Sequence, residues 1–339
     1  MDTLPPSTLS RVKFGKSLSG MTGREGIVVD FEDGSSEGPF DLVVGCDGVN
    51  SAVKEYIETW NIPKVGRKSS QALYSGIRIQ YAVQELEATK DVDTFAKLRQ
   101  YFGNGAYALS GVYGSGKNRA PMKCAFTISL DDDYIGPFRK KEARRSTGVT
   151  DENADWSQDN RKGTSETMLE KIAECGVPDI EVGPIIRQAS RFFELGVYLH
   201  NPISFKGWSK QVEGSGGRFC TLGGDAAHAM PPFLGQGSNQ AIQDSYCLAK
   251  KIFEYNAALS AGDQVSLQAV LKSYERIRWK PTTSISVKAA VLGYLEASTG
   301  PIAKFRDVFF RTLGSIGVAK KVYLGAAVPV VCDDEKEDE

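Results

Sequence analysis

Between Phe219 and Asp244 the chain changes texture three times. Phe219-Cys220-Thr221-Leu222-Gly223 has the make-up of a β-strand and runs into Gly224-Asp225-Ala226-Ala227-His228. Ala229-Met230-Pro231-Pro232-Phe233-Leu234 follows as a stiff loop, and Gly235-Gln236-Gly237-Ser238-Asn239 then opens a long helix. A strand ending at an acid beside a glycine-lined helix N-terminus restricts the chain to α/β folds, where such a corner holds a nucleotide cofactor. Gly235 and Gly237 carry no side chain to block a ligand from the backbone. The helix, starting near Ser238, presents free N–H groups and partial positive charge, suited to a phosphate or to an oxyanion on a reduced ring. Asp225 is placed to accept hydrogen bonds from ribose hydroxyls. A capped turn without a ligand would explain the glycines alone, but not the whole run to Asp244. Ile242, Tyr246, Ala249, Ile252 and Phe253 fall on one face of the helix, which predicts that this face packs on the protein.

A second unit of the same kind lies upstream. Phe40 to Cys46 reads as a buried parallel strand ending in Asp47-Gly48. Asn50-Ser51 can cap a helix from Ala52 to about Thr59. Before it, Val12 and Phe14 suggest a short strand, and Gly26–Phe31 a second, closed by a turn at Glu32–Ser35. From Leu73 to Leu130 short β-rich runs alternate with glycine turns, Gly103-Asn104-Gly105 and Gly114-Ser115-Gly116 among them, as in an antiparallel sheet. Residues 131–165 are polar and lack apolar periodicity, as in a surface insertion or disordered loop. Helices are predicted at Thr164–Cys175, Ser266–Lys280 (stopped by Pro281), Ser284–Ala297 and Ile302–Thr312.

The expected organisation is therefore α/β: a partial Rossmann-like nucleotide domain plus an antiparallel sheet domain, with a helical C-terminal region. The first domain would comprise 1–72 and 201–300, and the sheet domain 73–200 with its insertion at 131–165. A helical segment at 301–332 and a disordered acidic tail at 333–339 would follow.

Composition removes several function classes. A net charge of −1 over 339 residues gives no electrostatic reason to expect nucleic acid. Six scattered cysteines form no C-x-x-C pair and there are two histidines, so no metal site is expected. Scattered thiols suit a reducing compartment. No secretory signal opens the chain. Its longest apolar stretch, Thr312–Cys332, is broken by Lys320 and Lys321, which favours packing on the protein over membrane contact. Ser51-Ala52-Val53-Lys54 matches the S-x-x-K of serine hydrolases but lacks that pattern's companion motifs; a helix cap and a surface lysine account for it.

The run Gly224–Asp244 resembles the second flavin-binding motif of the class A FAD-dependent monooxygenases, the para-hydroxybenzoate hydroxylase-like hydroxylases and epoxidases. It carries GDAAH, the proline, G-Q-G-x-N and the late Asp of that pattern. Asp41–Lys54 resembles the family's strand, Asp-Gly, helix motif. The resemblance covers about Leu4 to Ala297. It implies FAD as cofactor, NAD(P)H as co-substrate, and O₂ with a small lipophilic or aromatic molecule as substrates. Asp47, Gly48, Gly224, Asp225, Pro232, Gly235, Gln236, Gly237, Ser238 and Asn239 would hold the cofactor. Tyr74, Phe102, Tyr107 and Phe126 would line the substrate pocket, although sheet core alone would also explain them. It assigns no catalytic side chain, and His228 is expected to be structural.

One departure is clear. The family opens with a strand, a G-x-G-x-x-G turn and a helix for the ADP half of FAD, and this sequence contains no such fingerprint. The reading is an N-terminally truncated member, with an apolar sheet edge exposed where the unit would pack. That leaves two further functional alternatives: a flavin-dependent reductase or oxidase on the same scaffold, or a non-catalytic truncated paralogue. A missing N-terminus leaves location open between the cytoplasm and an organelle lumen, and the oligomeric state is equally open.

Overall fold

The computed structural model describes residues 5–60, 62, 72–85, 98–113, 122–130, 158–202 and 206–315. The turn expected at Gly114–Gly116, residues 131–157 of the expected insertion and the acidic tail lie outside the described residues. Among the described residues no helix is long and apolar enough to cross a membrane.

A four-residue helix α1 (Pro6–Leu9) precedes a meander of β1 (Leu18–Gly23), β2 (Ile27–Phe31) and β3 (Ser36–Phe40). The strand expected at Val12 and Phe14 does not form: both side chains are exposed and have no partner face to pack on. The run Phe40–Cys46 is divided. Phe40 ends β3, and β4 (Leu42–Gly45) alone enters a sheet of order β10-β11-β4, with β10 (Ser209–Gln211) and β11 (Phe219–Leu222). β4 is an edge strand there and its Val44 is 40% exposed, so the expected burial on both faces is corrected. α2 (Ala52–Thr59) follows with Ser51 as its cap, as its sequence predicts.

The second layer is an antiparallel sheet of order β6-β7-β8-β5-β9, built from β5 (Leu73–Glu85), β6 (Arg99–Phe102), β7 (Ala106–Tyr113), β8 (Met122–Leu130) and β9 (Arg191–Leu199). One face buries Ala82, Ala108 and Ala125 under α3 (Gln158–Glu174) and α4 (Val182–Gln188), through Met168, Ile172 and Ile186. Small residues on the sheet let these helices approach closely. α3 begins at Gln158, so residues 158–165, expected in the polar insertion, are helical.

The nucleotide-type layer closes around α5 (Asp225–His228), α6 (Gly237–Ala261) and α7 (Leu267–Glu296), with α8 (Gly300–Ser315) last. Its core gathers Ile27, Val53, Trp208, Leu222, Cys247 and Leu271. Two expectations fail here. Pro281 does not stop a helix, because α7 runs through it for 30 residues. Burial of Arg278 before it and Ile285 after it fixes both halves, and Thr282 Oγ1 donates to Arg278 O at 2.8 Å. On α6 the buried stripe is Gln240, Asp244, Cys247, Leu248 and Lys251. Ile242, Tyr246 and Phe253 are 66%, 62% and 75% exposed. The polar stripe is turned inward because Asp244 has buried partners that outrank apolar burial.

Candidate functional site

The two motifs meet at one corner. β11 pairs parallel to β4 with Leu222 opposite Gly45, and Gly223 N donates to Gly45 O at 3.0 Å. Both strands therefore release their chains at the same carboxyl end, which brings the Asp47 and Asp225 turns side by side, the position where open α/β sheets bind ligands. Gly224 turns the chain there with φ +61°, and Asp225 starts α5 with its side chain exposed. Pro232–Leu234 form one 3₁₀ turn, ended by Gly235 at φ +62° with open space where a Cβ would stand. α6 then begins at Gly237. No side chain caps it, and a Cβ at Gly237 would lie 3.7 Å from Asp225 Oδ1. The result is a 25-residue helix whose first N–H groups open beside an exposed carboxylate. Pro232, Gly235, Ser238 and Asn239 are exposed along this rim, whereas Gln236 is buried and its amide donates to Leu234 O at 3.4 Å.

Asp47 has a structural task. Its Oδ2 accepts from Ala52 N at 2.7 Å and Val53 N at 3.3 Å, anchoring the start of α2, while Gly48 at φ +79° leaves the turn open. Ser51 Oγ accepts from Lys54 N at 2.9 Å. Lys54 Nζ instead reaches Ala227 O at 3.4 Å and Glu58 at 3.6 Å, so serine and lysine form no nucleophile–base pair. Burial pushes the Lys54 ammonium below its ordinary range.

Behind the corner lies a buried polar hub centred on Asp244. Its Oδ2 accepts from Gly224 N at 2.8 Å and contacts His228 Nε2 at 2.5 Å, and its Oδ1 accepts from Arg278 Nε at 2.7 Å. Arg278, fully buried, also donates from Nη2 to Gln240 Oε1 at 2.7 Å. Burial raises the Asp244 carboxyl, but His228 and Arg278 outweigh it and hold the group below the usual range. Tyr274 Oη donates to Leu222 O at 3.0 Å, and burial lifts its phenol well above normal. The hub binds strand, turn and two helices into one unit. His228 belongs to it, in keeping with a structural part.

The other face of the antiparallel sheet adjoins this corner. His200 N donates to Ala229 O at 2.9 Å and Tyr294 Oη to Ser75 O at 2.6 Å, joining the sheet to the loop and to α7. Phe233 crosses from the rim onto this face, with its ring over Gly293, where a Cβ would stand 2.1 Å from the ring. Tyr107, Phe102 and Phe126 are in the same apolar cluster as Phe233 and Tyr294. Tyr74 is not, for its ring packs over Gly196 beside Tyr198, and Gly196 faces away from the neighbouring Val197 of that cluster.

Several site-shaping residues escaped the sequence reading: Arg278, Tyr274, Glu296 and Arg306. Arg278 had a legible signal, since Leu271, Tyr274, Arg278, Thr282, Ile285 and Ala289 recur at helical spacing as one buried stripe.

Residues 214–282 match the family model described as an FAD binding domain. Over an alignment of 285 positions, which covers 81% of this chain and 60% of that protein, the chain is 25% identical to the FAD-dependent monooxygenase cctM of Talaromyces islandicus. The chain thus carries an FAD binding domain and is similar to proteins named as FAD-dependent monooxygenases. The chloroplastic zeaxanthin epoxidase of Nicotiana plumbaginifolia is 27% identical over 83% of this chain and 37% of its own length. The Klebsiella pneumoniae HpxO structure, complexed with FAD and uric acid, superposes over 96% of this chain and 69% of that one with a TM-score of 0.63 at 17% identity, which shows the shared fold. The chain thus spans about 60% of the first of these monooxygenases and less of the epoxidase.

Proposed function

We propose that the protein binds FAD and uses a reduced nicotinamide nucleotide and O₂ to hydroxylate or epoxidise a small lipophilic or aromatic substrate. One observation carries this reading: the uncapped start of α6 opens beside exposed Asp225 at the carboxyl ends of a parallel strand pair. The corner fits the cofactor's chemistry, because the free N–H groups suit phosphate or an anionic ring while a carboxylate suits sugar hydroxyls. When bound, FAD supplies the redox and oxygen-transfer chemistry.

The chain's own residues bind and orient. Asp225 accepts from a hydroxyl of the cofactor's polyol or ribose. Backbone N–H groups of Gly237, Ser238 and Asn239 offset negative charge, an effect strengthened where water is excluded. Gly235 and Gly48 let the ligand approach the main chain. Asp47 shapes its turn by anchoring α2, and Pro232 with Phe233 walls the site towards the apolar sheet face.

The test is reconstitution of the purified chain with FAD, followed by substrate-dependent oxidation of NADPH under isotopically labelled O₂. Bound flavin and one labelled oxygen atom in the product are expected. Turnover without label would establish a reductase or oxidase instead, and failure to take up FAD would establish a non-catalytic chain.

A further inference from the structure

A small pocket lies against α5 at Ala227 and His228, and Asp225 does not line it. Trp208 and Trp279 form its walls, with α2 on one side and α7 on the other. Two polar atoms of its lining residues meet no hydrogen-bonding group among the described residues: His228 Nδ1 and Ser286 Oγ, on residues 8% and 3% exposed. Native interiors rarely leave such atoms unpaired, so each calls for a partner from outside the chain. Lys54 Nζ is only loosely held. It stands 3.4 Å from Ala227 O and 3.6 Å from Glu58 Oε1, long contacts for an ammonium with three protons to donate. The space inside suits about one or two water-sized bodies.

Charge decides between occupants. Lys54 and Glu58 line the pocket from α2, and Lys206 reaches Glu58 at 3.3 Å from the loop before β10. Through His228 the pocket also meets Asp244 of α6, and behind it Arg278 of α7. Lys54, Lys206 and Arg278 against Glu58 and Asp244 leave one positive charge over. Lys272 and Glu275, beside Gly207, pair with each other at 3.1 Å and cancel. His200, the other imidazole of the lining, adds no negative charge, and burial keeps the Tyr274 phenol protonated. Burial also pushes the Lys54 ammonium below its ordinary range, as befits a cation with too little counter-charge. His228 Nε2 faces the Asp244 carboxylate and carries a proton there. A second proton on Nδ1 makes the ring a cation that already has Asp244 opposite it. Nδ1, Lys54 Nζ and Ser286 Oγ are then all donors, the set that holds an anion. A water molecule would satisfy the hydrogen bonds but leave the charge unmatched.

We propose that this pocket is a binding site for one small monovalent anion of halide size, held by Lys54, Ser286 and protonated His228. The site is separate from the corner at Asp225 and Gly237, and it does not rest on the monooxygenase reading. It adjoins that corner through α5, whose first residue is Asp225 and whose last two line the pocket.

The experiment uses the full chain and sodium bromide at a mildly acidic pH that makes imidazolium available, with sodium gluconate holding the ionic strength constant. The thermal unfolding midpoint should rise with bromide and level off, as it does when a ligand binds the folded state alone. Ser286→Ala removes an unpaired hydroxyl, so it should fold normally and weaken the apparent bromide affinity by about tenfold. Lys54→Met should abolish the saturable rise, and Glu58 keeps Lys206 as its partner in that variant. Crystals grown in bromide should place its anomalous signal within hydrogen-bond reach of Lys54 Nζ, His228 Nδ1 and Ser286 Oγ. Absence of a saturable rise would overturn the proposal and leave a pocket for water, as would unchanged affinity in Ser286→Ala. An equal response in Lys54→Met, or an anomalous signal at other places alone, would mean an adventitious ion only and would overturn it too.

Discussion

Arg278 and Asp244 form the innermost ion pair of the described molecule, with Nε 2.7 Å from Oδ1 and side chains 0% and 1% exposed. The pair is held by four elements at once, because Asp244 also receives Gly224 N and His228 while Arg278 reaches Gln240. Such a pair adds little over an apolar substitute, but breaking it strands a buried charge. Arg278→Met should therefore lower stability by about 3–5 kcal/mol, read from urea unfolding midpoints. An unchanged midpoint would show that Asp244 is not charged in the folded protein.

The same carboxylate sets an acid limit. Its folded pKa is depressed, so its contribution is full above the unfolded value near ~3.9 and is lost as pH falls through the folded one. Glu296 has the opposite sign. Burial raises its carboxyl, so stability falls as pH rises above about 4.3 towards its folded value. Unfolding free energy measured against pH should fall at the acid end in the wild type. Glu296→Gln should flatten the decline above about 4.3 while leaving the acid limb in place.

Asp225 separates binding from folding. Its side chain is exposed beside the first turn of α6, so Asp225→Ala should change stability by no more than about 0.5 kcal/mol. FAD affinity, followed by flavin fluorescence, should drop by about tenfold or more. Equal affinity in the variant would remove Asp225 from the cofactor site.

Gly293 is a seat for the Phe233 ring. In most exposed helix interiors Gly→Ala gains roughly 1 kcal/mol, but here the new methyl would stand 2.1 Å from the ring. Gly293→Ala should displace Phe233 and destabilise by about 1–3 kcal/mol, visible as a lower melting temperature. Phe233→Ala combined with it should recover part of that loss, a coupling measurable in a double-mutant cycle.

The outward stripe of α6 invites association. Ile242, Tyr246 and Phe253 lie on the helix surface. Ile242→Lys with Phe253→Lys should leave the unfolding midpoint within about 0.5 kcal/mol of wild type. Light scattering at rising concentration should show less self-association, and an unchanged profile would mean that the stripe is not sticky.

Local chemistry was legible in the sequence wherever a short pattern decides the outcome. Ser51 as a cap, the hairpin through Gly103–Gly105 and the helix opening after Gly235 each depend on residues within a turn or two. Failures occurred where distant partners decide. The inward direction of α6 depends on Arg278 from another helix, the continuity of α7 through Pro281 on packing at both ends, and the seat of Tyr74 on Gly196 across the sheet. Three of the four aromatic candidates lie on one sheet face, yet periodicity alone could not say which face Tyr74 would take, because the β5–β9 pairing shifts register between Tyr74 and Arg78.

α7 touches both halves of the proposed chemistry. Arg278 holds Asp244, which in turn accepts from Gly224 N beside Asp225, and sixteen residues on, about 24 Å along the axis, Tyr294 is tied to Ser75 on the sheet while Gly293 carries Phe233. A single uninterrupted rod cannot tilt at one end without displacing the other. Changes that reshape the apolar sheet face at Phe233 will therefore be transmitted to the Asp225 corner, so altered specificity and altered cofactor affinity should be inherited together.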